Sequence, residues 1–164
     1  MGLNIAGFVI DKNYENDISE LEDILSAKLN FKKEIVFEEA IRGWKNKKTC
    51  DIHFTLGGTL VFFAPEYSDL CLFKRNQNTL TFCLSEMAMI FIITYIENGK
   101  PIRAIMESEG ITTENEGIPL EFEKIEDDKS ELIYHLIEKI LGISFFEIDN
   151  EAKCNRYDFK SNFF

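Results

Sequence analysis

The chain has 164 residues, 45% of them hydrophobic, and a formal net charge of −11. This length and apolar content suit one domain, residues 1–164, with a core of its own. The acidic charge argues against nucleic-acid and membrane-surface partners, and the sequence shows neither a transmembrane run nor a secretory signal. We therefore predict a cytoplasmic protein.

The first third of the chain predicts one strand and two helices. Residues 3–11 have the composition of a strand, and Asp17 then begins a helix with a capping box. The apolar face of that helix repeats at three and four residues, at Ile18, Leu21, Leu25 and Leu29. A second amphipathic helix is predicted over residues 37–46, inside a locally basic stretch at 28–48.

The middle of the chain changes to the two-residue period of strands. Residues 51–64 predict a hairpin with Gly57 and Gly58 in a turn of positive φ. Further strands are predicted at residues 70–74, 79–84, 88–96 and 100–107. The Asn98-Gly99 pair between the last two is a strong short-range hairpin signal.

Residues 107–128 carry nine acidic residues and one lysine. They predict a largely exposed connection with one short strand at 119–123. A third helix follows over 128–141, begun by Asp128 and ended by Gly142. Its D-x-S-E-L start also occurs at residues 17–21, which either a duplication or shared capping chemistry explains.

Together these elements predict a single α+β domain. We expect a mainly antiparallel meander sheet of five to seven strands, with about three helices packed mostly on one face.

The hairpin at Asn98-Gly99 predicts a mixed sheet face. A two-residue turn places eight residues on one side, which are Ile90, Ile92, Thr94, Ile96, Pro101, Arg103, Ile105 and Glu107. Exposed isoleucines are costly as a patch, so a helix, a second subunit or a binding partner should cover them.

Two pairs of residues are weak catalytic candidates. Asp51 and His53 share one face of a predicted strand, as a base and its orienting partner would. Arg103 and Glu107 stand about 13 Å apart along another strand, which is too far for a carboxylate pair acting on one bond. No nucleophile is placed beside His53, so a structural histidine is the favoured interpretation.

The sequence contains no usual motif for a metal or a cofactor. The four cysteines form no CxxC pair, and the HExxH, EF-hand and P-loop patterns are missing. Glu131, His135 and Glu138 share a helix face, but surface contacts are commoner than metal sites there. We expect no cofactor and no metal.

Charge and apolar surface make binding the favoured function. Trp44 and the lysines after it resemble a nucleic-acid surface, but the net charge favours a helix anchored by Trp44. The acidic connection suits a basic protein partner, although a solubilising loop has the same composition. Candidate contact residues are Ile90, Ile92, Ile105, Arg103, Glu107, Glu109, Glu114, Glu116, Glu121 and Glu123.

Three segments carry a resemblance: NIAGFVID at 4–11, ENGKPIRAIMESEG at 97–110 and NEGIPLEFE at 115–123. They resemble a family of uncharacterised bacterial cytosolic proteins, and the resemblance implies no activity. We expect a non-enzymatic binding module for a protein partner, for example an immunity-like or regulatory protein. A small hydrolase and a homodimeric structural protein are the alternatives.

Overall fold

The computed structural model describes residues 2–124 and 129–163, which form one antiparallel sheet of nine strands with three helices. The strands are β1 (Asn4–Ile10), β2 (Ala27–Val36), β3 (Thr49–Phe54), β4 (Thr59–Phe62), β5 (Thr79–Ser85), β6 (Ile90–Glu97), β7 (Lys100–Ser108), β8 (Ile111–Gly117) and β9 (Lys153–Ser161). The helices are α1 (Ile18–Leu25), α2 (Phe37–Ala40) and α3 (Lys129–Leu141). The α+β class is confirmed, whereas the prediction of five to seven strands is too low.

The sheet has an apolar core on each of its two faces. Its strand order is β2-β9-β3-β4-β1-β5-β6-β7-β8, so β2 and β8 are the edge strands. On one side, the α3 face, α3 packs across β1, β5 and β6. On the other, the α1 face, α1 packs against β2, and a 3-10 helix at Pro65–Tyr67 packs against β1. α2 packs on the α3 face as well, through Phe37 and Ala40, so two of the three helices lie on one face and α1 lies on the other.

The elements with strong local signals form as predicted. Asn98 and Gly99 have φ values of 53° and 77°, and they join β6 to β7 as the two turn residues. The apolar stripe of α3 is buried against the sheet, at Leu132, Ile133, Leu136, Ile137, Ile140 and Leu141. Gly142 follows this helix with a φ of 78° and donates its N–H to the Glu138 carbonyl. The position of Asp128 lies outside the described residues.

Three predictions in the first half of the chain are wrong. The first helix ends at Leu25, because Ser26 is left-handed at φ 51°, and Leu29 belongs to β2. Asp17 makes no side-chain cap. The second helix has only four residues, so Trp44 lies in the loop that leads to β3.

The remaining corrections concern turns and the acidic connection. Gly57 and Gly58 do not have positive φ, and residues 70–74 form a loop instead of a strand. In the acidic connection, the strand is β8, while residues 119–123 run into a 3-10 helix at Glu121–Lys124. β8 is polar and exposed on both faces, so it lacks the apolar alternation that marks a strand.

A bulge in β7 changes which residues face the core. Ile96 pairs with Pro101, but Tyr95 pairs with Arg103, so Ile102 is the extra residue. Proline has no N–H for the ladder, and such residues are found at bulges and edges. Beyond the bulge, every β7 side chain lies on the face opposite to the predicted one.

Among the described residues, the helices are too short or too polar to cross a membrane.

Candidate functional site

Asp51 and His53 lie on the same face of β3, but they do not interact as a catalytic pair. Asp51 is fully buried, and both of its oxygens accept hydrogen bonds from Arg156, at 2.8 and 2.9 Å. His53 Nδ1 is 2.9 Å from the Lys153 carbonyl, and its ring packs against Phe37 with centroids 5.4 Å apart. Asp51 and His53 therefore each bond to a different partner, and His53 packs as a structural residue.

Arg103 is an anchor inside the α3 face. Its side chain is 3% exposed and makes a bidentate ion pair with Glu123, at 2.8 and 3.0 Å. It also donates to the Asn115 side chain and to the Glu116 carbonyl. The ion pair therefore fixes the 3-10 helix that follows β8 onto the sheet. Burial alone would raise the pKa of Glu123, but hydrogen bonds from Arg103 and the Leu120 N–H outweigh it and lower the pKa.

Glu107 also faces the α3 side, and it contacts the first turn of α3. Its carboxylate accepts hydrogen bonds from Thr112 at 2.9 Å and lies 2.6 Å from Lys129 Nζ. Burial opposes ionisation, yet these two partners lower the pKa of Glu107 below its usual value. Glu107 is thus committed to an ion pair within the fold.

The four candidate catalytic residues are not brought together. Five strand spacings separate β3 from β7, which corresponds to roughly 24 Å. His135 packs against Phe122 with ring centroids 5.2 Å apart, and no group of three metal-ligating side chains occurs within 2–124 and 129–163. Burial raises the pKa of the Cys83 thiol to about 11 and that of Cys154 to about 12, so neither is a thiolate at neutral pH.

The sheet leaves part of its α1 face open at β6, β7 and β8. We call this region the open face and define it by its apolar side chains, which are Ile90, Ile92, Ala104, Met106 and Ile111. The bulge puts Ala104 and Met106 on this face, where Ala104 pairs with Thr94 and Met106 pairs with Ile92. The first four apolar side chains are half-buried, and Ile111 is 65% exposed.

The sheet end beside the open face is also apolar. The β5–β6 turn exposes Met87 by 84% and Met89 by 59%. The Glu109 N–H donates to the Met89 carbonyl, so the β5–β6 and β7–β8 turns are joined. A depression of about 390 Å³ opens at the same end of the sheet but towards α3, and its lining includes Met89, Phe91, Glu107 and Lys129. A contiguous exposed apolar patch marks an interaction site more often than apolar residues that are scattered singly over the surface.

Carboxylates border this apolar surface. Glu114 and Glu116 lie on the open face opposite Met106 and Ala104, and Glu86 and Glu109 lie at the two turns. Within the described chain, no hydrogen bond or ion pair engages these four side chains. The basic residues between Glu86 and Gly117 are Lys100, at the far hairpin tip, and the buried Arg103. The open face is therefore negatively charged.

The predicted contact residues divide into two groups. Ile90, Ile92, Glu109, Glu114 and Glu116 lie on or beside the open face. Five others lie on the α3 side of the sheet or on the 3-10 helix packed there, which are Arg103, Ile105, Glu107, Glu121 and Glu123. For Arg103, Ile105 and Glu107, the predicted place on the mixed sheet face is wrong, because that prediction depended on an unbulged hairpin.

Sequence reasoning missed Met87, Met89, Met106 and Ile111 as members of this surface. The signal for Ile111 was available, since Glu109-Gly110 between two strand-like runs is a possible two-residue turn, and both residues have positive φ.

Comparison with known proteins reveals no relative of the chain. No family model, no curated protein and no solved structure matches the chain.

Proposed function

We propose that this protein is a binding module whose open face docks a basic protein. One observation carries the proposal: apolar side chains and four uncommitted carboxylates share the same uncovered end of the sheet. Interfaces with an apolar centre and a charged rim gain affinity from the centre and association rate from the rim. An immunity-like or regulatory protein that masks a basic surface has this chemistry.

The charge of the open face favours a foreign partner over a second copy of the chain. A two-fold dimer places the same patch of both subunits in contact. Glu109, Glu114 and Glu116 of one copy would then face the same carboxylates of the other, and like charges across an interface cost several kcal/mol. A basic surface would instead neutralise them.

The edge strand beside the open face offers a second type of contact. Among the described strands, β8 pairs only with β7, so its outer backbone groups can pair with an extended segment of a partner. The acidic side chains of β8 oppose pairing with another acidic strand. The charge of β8 therefore opposes pairing with a second copy of β8 and favours pairing with a basic segment of another protein.

A triple variant tests the proposal. Proteins captured by the wild type from its native cytoplasm are identified, purified and titrated against wild type and Glu109→Gln/Glu114→Gln/Glu116→Gln. Since each neutralisation removes a rim charge, we expect the affinity for a basic partner to fall tenfold or more at low salt. We expect Ile111→Thr to weaken binding through the apolar centre.

The control is Glu38→Gln/Glu147→Gln/Glu151→Gln, which changes the net charge equally at exposed positions away from the open face. The proposal predicts that this control binds like the wild type. Equal losses in both triple variants would show that only the overall charge matters. A partner insensitive to the open-face triple and to Ile111→Thr would refute the proposed surface.

A further inference from the structure

A second recess lies at the opposite end of the sheet, near the edge strand β2. It has a volume of about 360 Å³ and lies between β2, the loop after α2, and the neighbouring strands β3 and β9. Seven side chains line it, and we call it the donor cleft. Six of them are Lys32, Lys33, Trp44, Asn46, Thr49 and Arg156, and the seventh is Lys45.

Every side chain that lines the donor cleft carries an N–H or O–H donor, and none is acidic. This lining contrasts with the whole chain, which has 29 acidic and 18 basic residues. Asn46 uses its side-chain oxygen to accept from the Lys48 N–H, which leaves its amide N–H groups for the cleft. The wall therefore presents donors that an anion could accept.

The floor of the cleft is built from buried charges. Lys45 has a side chain only 8% exposed, and it bonds to the Ala40 and Gly43 carbonyls and pairs with Asp51 at 3.3 Å. Arg156 makes its bidentate bond to the same carboxylate and a 3.3 Å bond to Glu39. Hydrogen bonding to Asp51 raises the pKa of Arg156. The Lys45 and Arg156 side chains are therefore held in place by these bonds.

The rim of the cleft has cations that remain available. Lys32 makes a 3.7 Å pair with Asp158, and both side chains are more than half exposed, so solvent screens the contact. The Lys33 side chain makes no ion pair or hydrogen bond within the described residues. Arg156 has five N–H groups and uses three of them in the bonds above.

We propose that the donor cleft binds a small organic oxyanion, with Lys32, Lys33 and Arg156 on the anionic group and Trp44 against an attached ring. The cleft falls in the lower part of the range for small-molecule pockets, about 300–1,000 Å³. Trp44 is 41% exposed at the cleft, so its ring is accessible for stacking. A phosphate ester and a carboxylate share this chemistry. The inference is independent of the open face.

Trp44 is the only tryptophan, so its fluorescence reports on the cleft directly. The probes are adenosine monophosphate, adenosine, citrate and inorganic phosphate. We expect adenosine monophosphate to change the fluorescence saturably, adenosine to act far more weakly, and inorganic phosphate to compete. If citrate matches the phosphate ester, the site accepts oxyanions in general, and if only citrate binds, its ligand is a carboxylate.

Two charge-matched variants complete the test. Lys32→Gln/Lys33→Gln should weaken anion binding about tenfold or more, as expected for lost charge-assisted contacts. Lys100→Gln/Lys160→Gln changes the net charge equally at exposed positions outside the cleft lining and should bind normally. Equal affinity in wild type and Lys32→Gln/Lys33→Gln, or no response to any anion, would overturn the inference.

Discussion

Arg103 holds the segment after β8 against the α3 face of the sheet, next to the strands that carry the open face. The β7 bulge turns its side chain to the α3 face, where the ion pair with Glu123 holds the segment after β8. The same bulge leaves Ala104 and Met106 as the apolar residues of β7 on the α1 face. Arg103 is thus a structural residue that lies next to the candidate site.

Loss of Arg103 should be strongly destabilising. Arg103→Met removes the partner of Glu123, and leaving a buried charge unpaired costs about 3–5 kcal/mol. Urea denaturation measures the free energy of unfolding. The double variant Arg103→Met/Glu123→Gln should recover part of the loss, and Lys129→Ala, which breaks a half-exposed pair, should cost about 1 kcal/mol or less. A cost below 1 kcal/mol for Arg103→Met would contradict this account.

Glu107 and Glu123 make stability depend on acidic pH. Their pKa values in the folded protein lie below the ordinary value of 4.5. Their ionised forms therefore stabilise the fold fully above about pH 4.5, and this contribution is lost as the pH falls through the lower, folded values. Unfolding free energies at pH 7 and pH 3.5 measure the effect. Glu107→Gln/Glu123→Gln should lose less stability between these pH values than the wild type, and an equal loss would exclude the two residues as its source.

At the scale of elements, the predictable parts were those with local signals. Asn98-Gly99, the α3 stripe and Gly142 each encode their structure within a few residues. The limits of α1 were less predictable, because Leu29 continues a helical spacing while Ala27, Leu29 and Phe31 also alternate as in a strand. The candidate site was only half predictable, since a one-residue bulge reverses every side chain beyond it.

The β3–β4 turn requires glycine for packing, rather than for a turn of positive φ. A Cβ on Gly58 would lie 2.6 Å from Leu141 Cδ2 and 2.8 Å from the Ile10 carbonyl oxygen. The turn therefore closes against the end of α3. Because the Ile10 backbone is held within the sheet, Gly58→Ala should cost about 1–3 kcal/mol by overpacking.

Gly43→Ala is the matched control for this prediction. A Cβ at Gly43 would have no atom within 4 Å. Thermal unfolding should therefore show a clear drop in Tm for Gly58→Ala and little change for Gly43→Ala. Equal Tm values for Gly58→Ala and the wild type would show that the contact with α3 relaxes at no cost.

At the scale of the whole molecule, charge is separated along the sheet. The open face is acidic at the β8 edge, and the donor cleft is cationic near the β2 edge, up to eight strand spacings or roughly 38 Å away. Salt screens exposed charges over about 8 Å under physiological conditions. The two ends therefore act as separate surfaces, and partners at one need not affect the other.

Photo-crosslinking in the native cell tests the central claim most directly. A photoreactive amino acid replaces Ile111 on the open face or, in the control, the exposed Glu151 outside it. The account predicts a covalent adduct with a basic protein from position 111 and not from position 151, reduced by Glu109→Gln/Glu114→Gln/Glu116→Gln. An adduct with a second copy of the chain, or the same adducts from both positions, would contradict it.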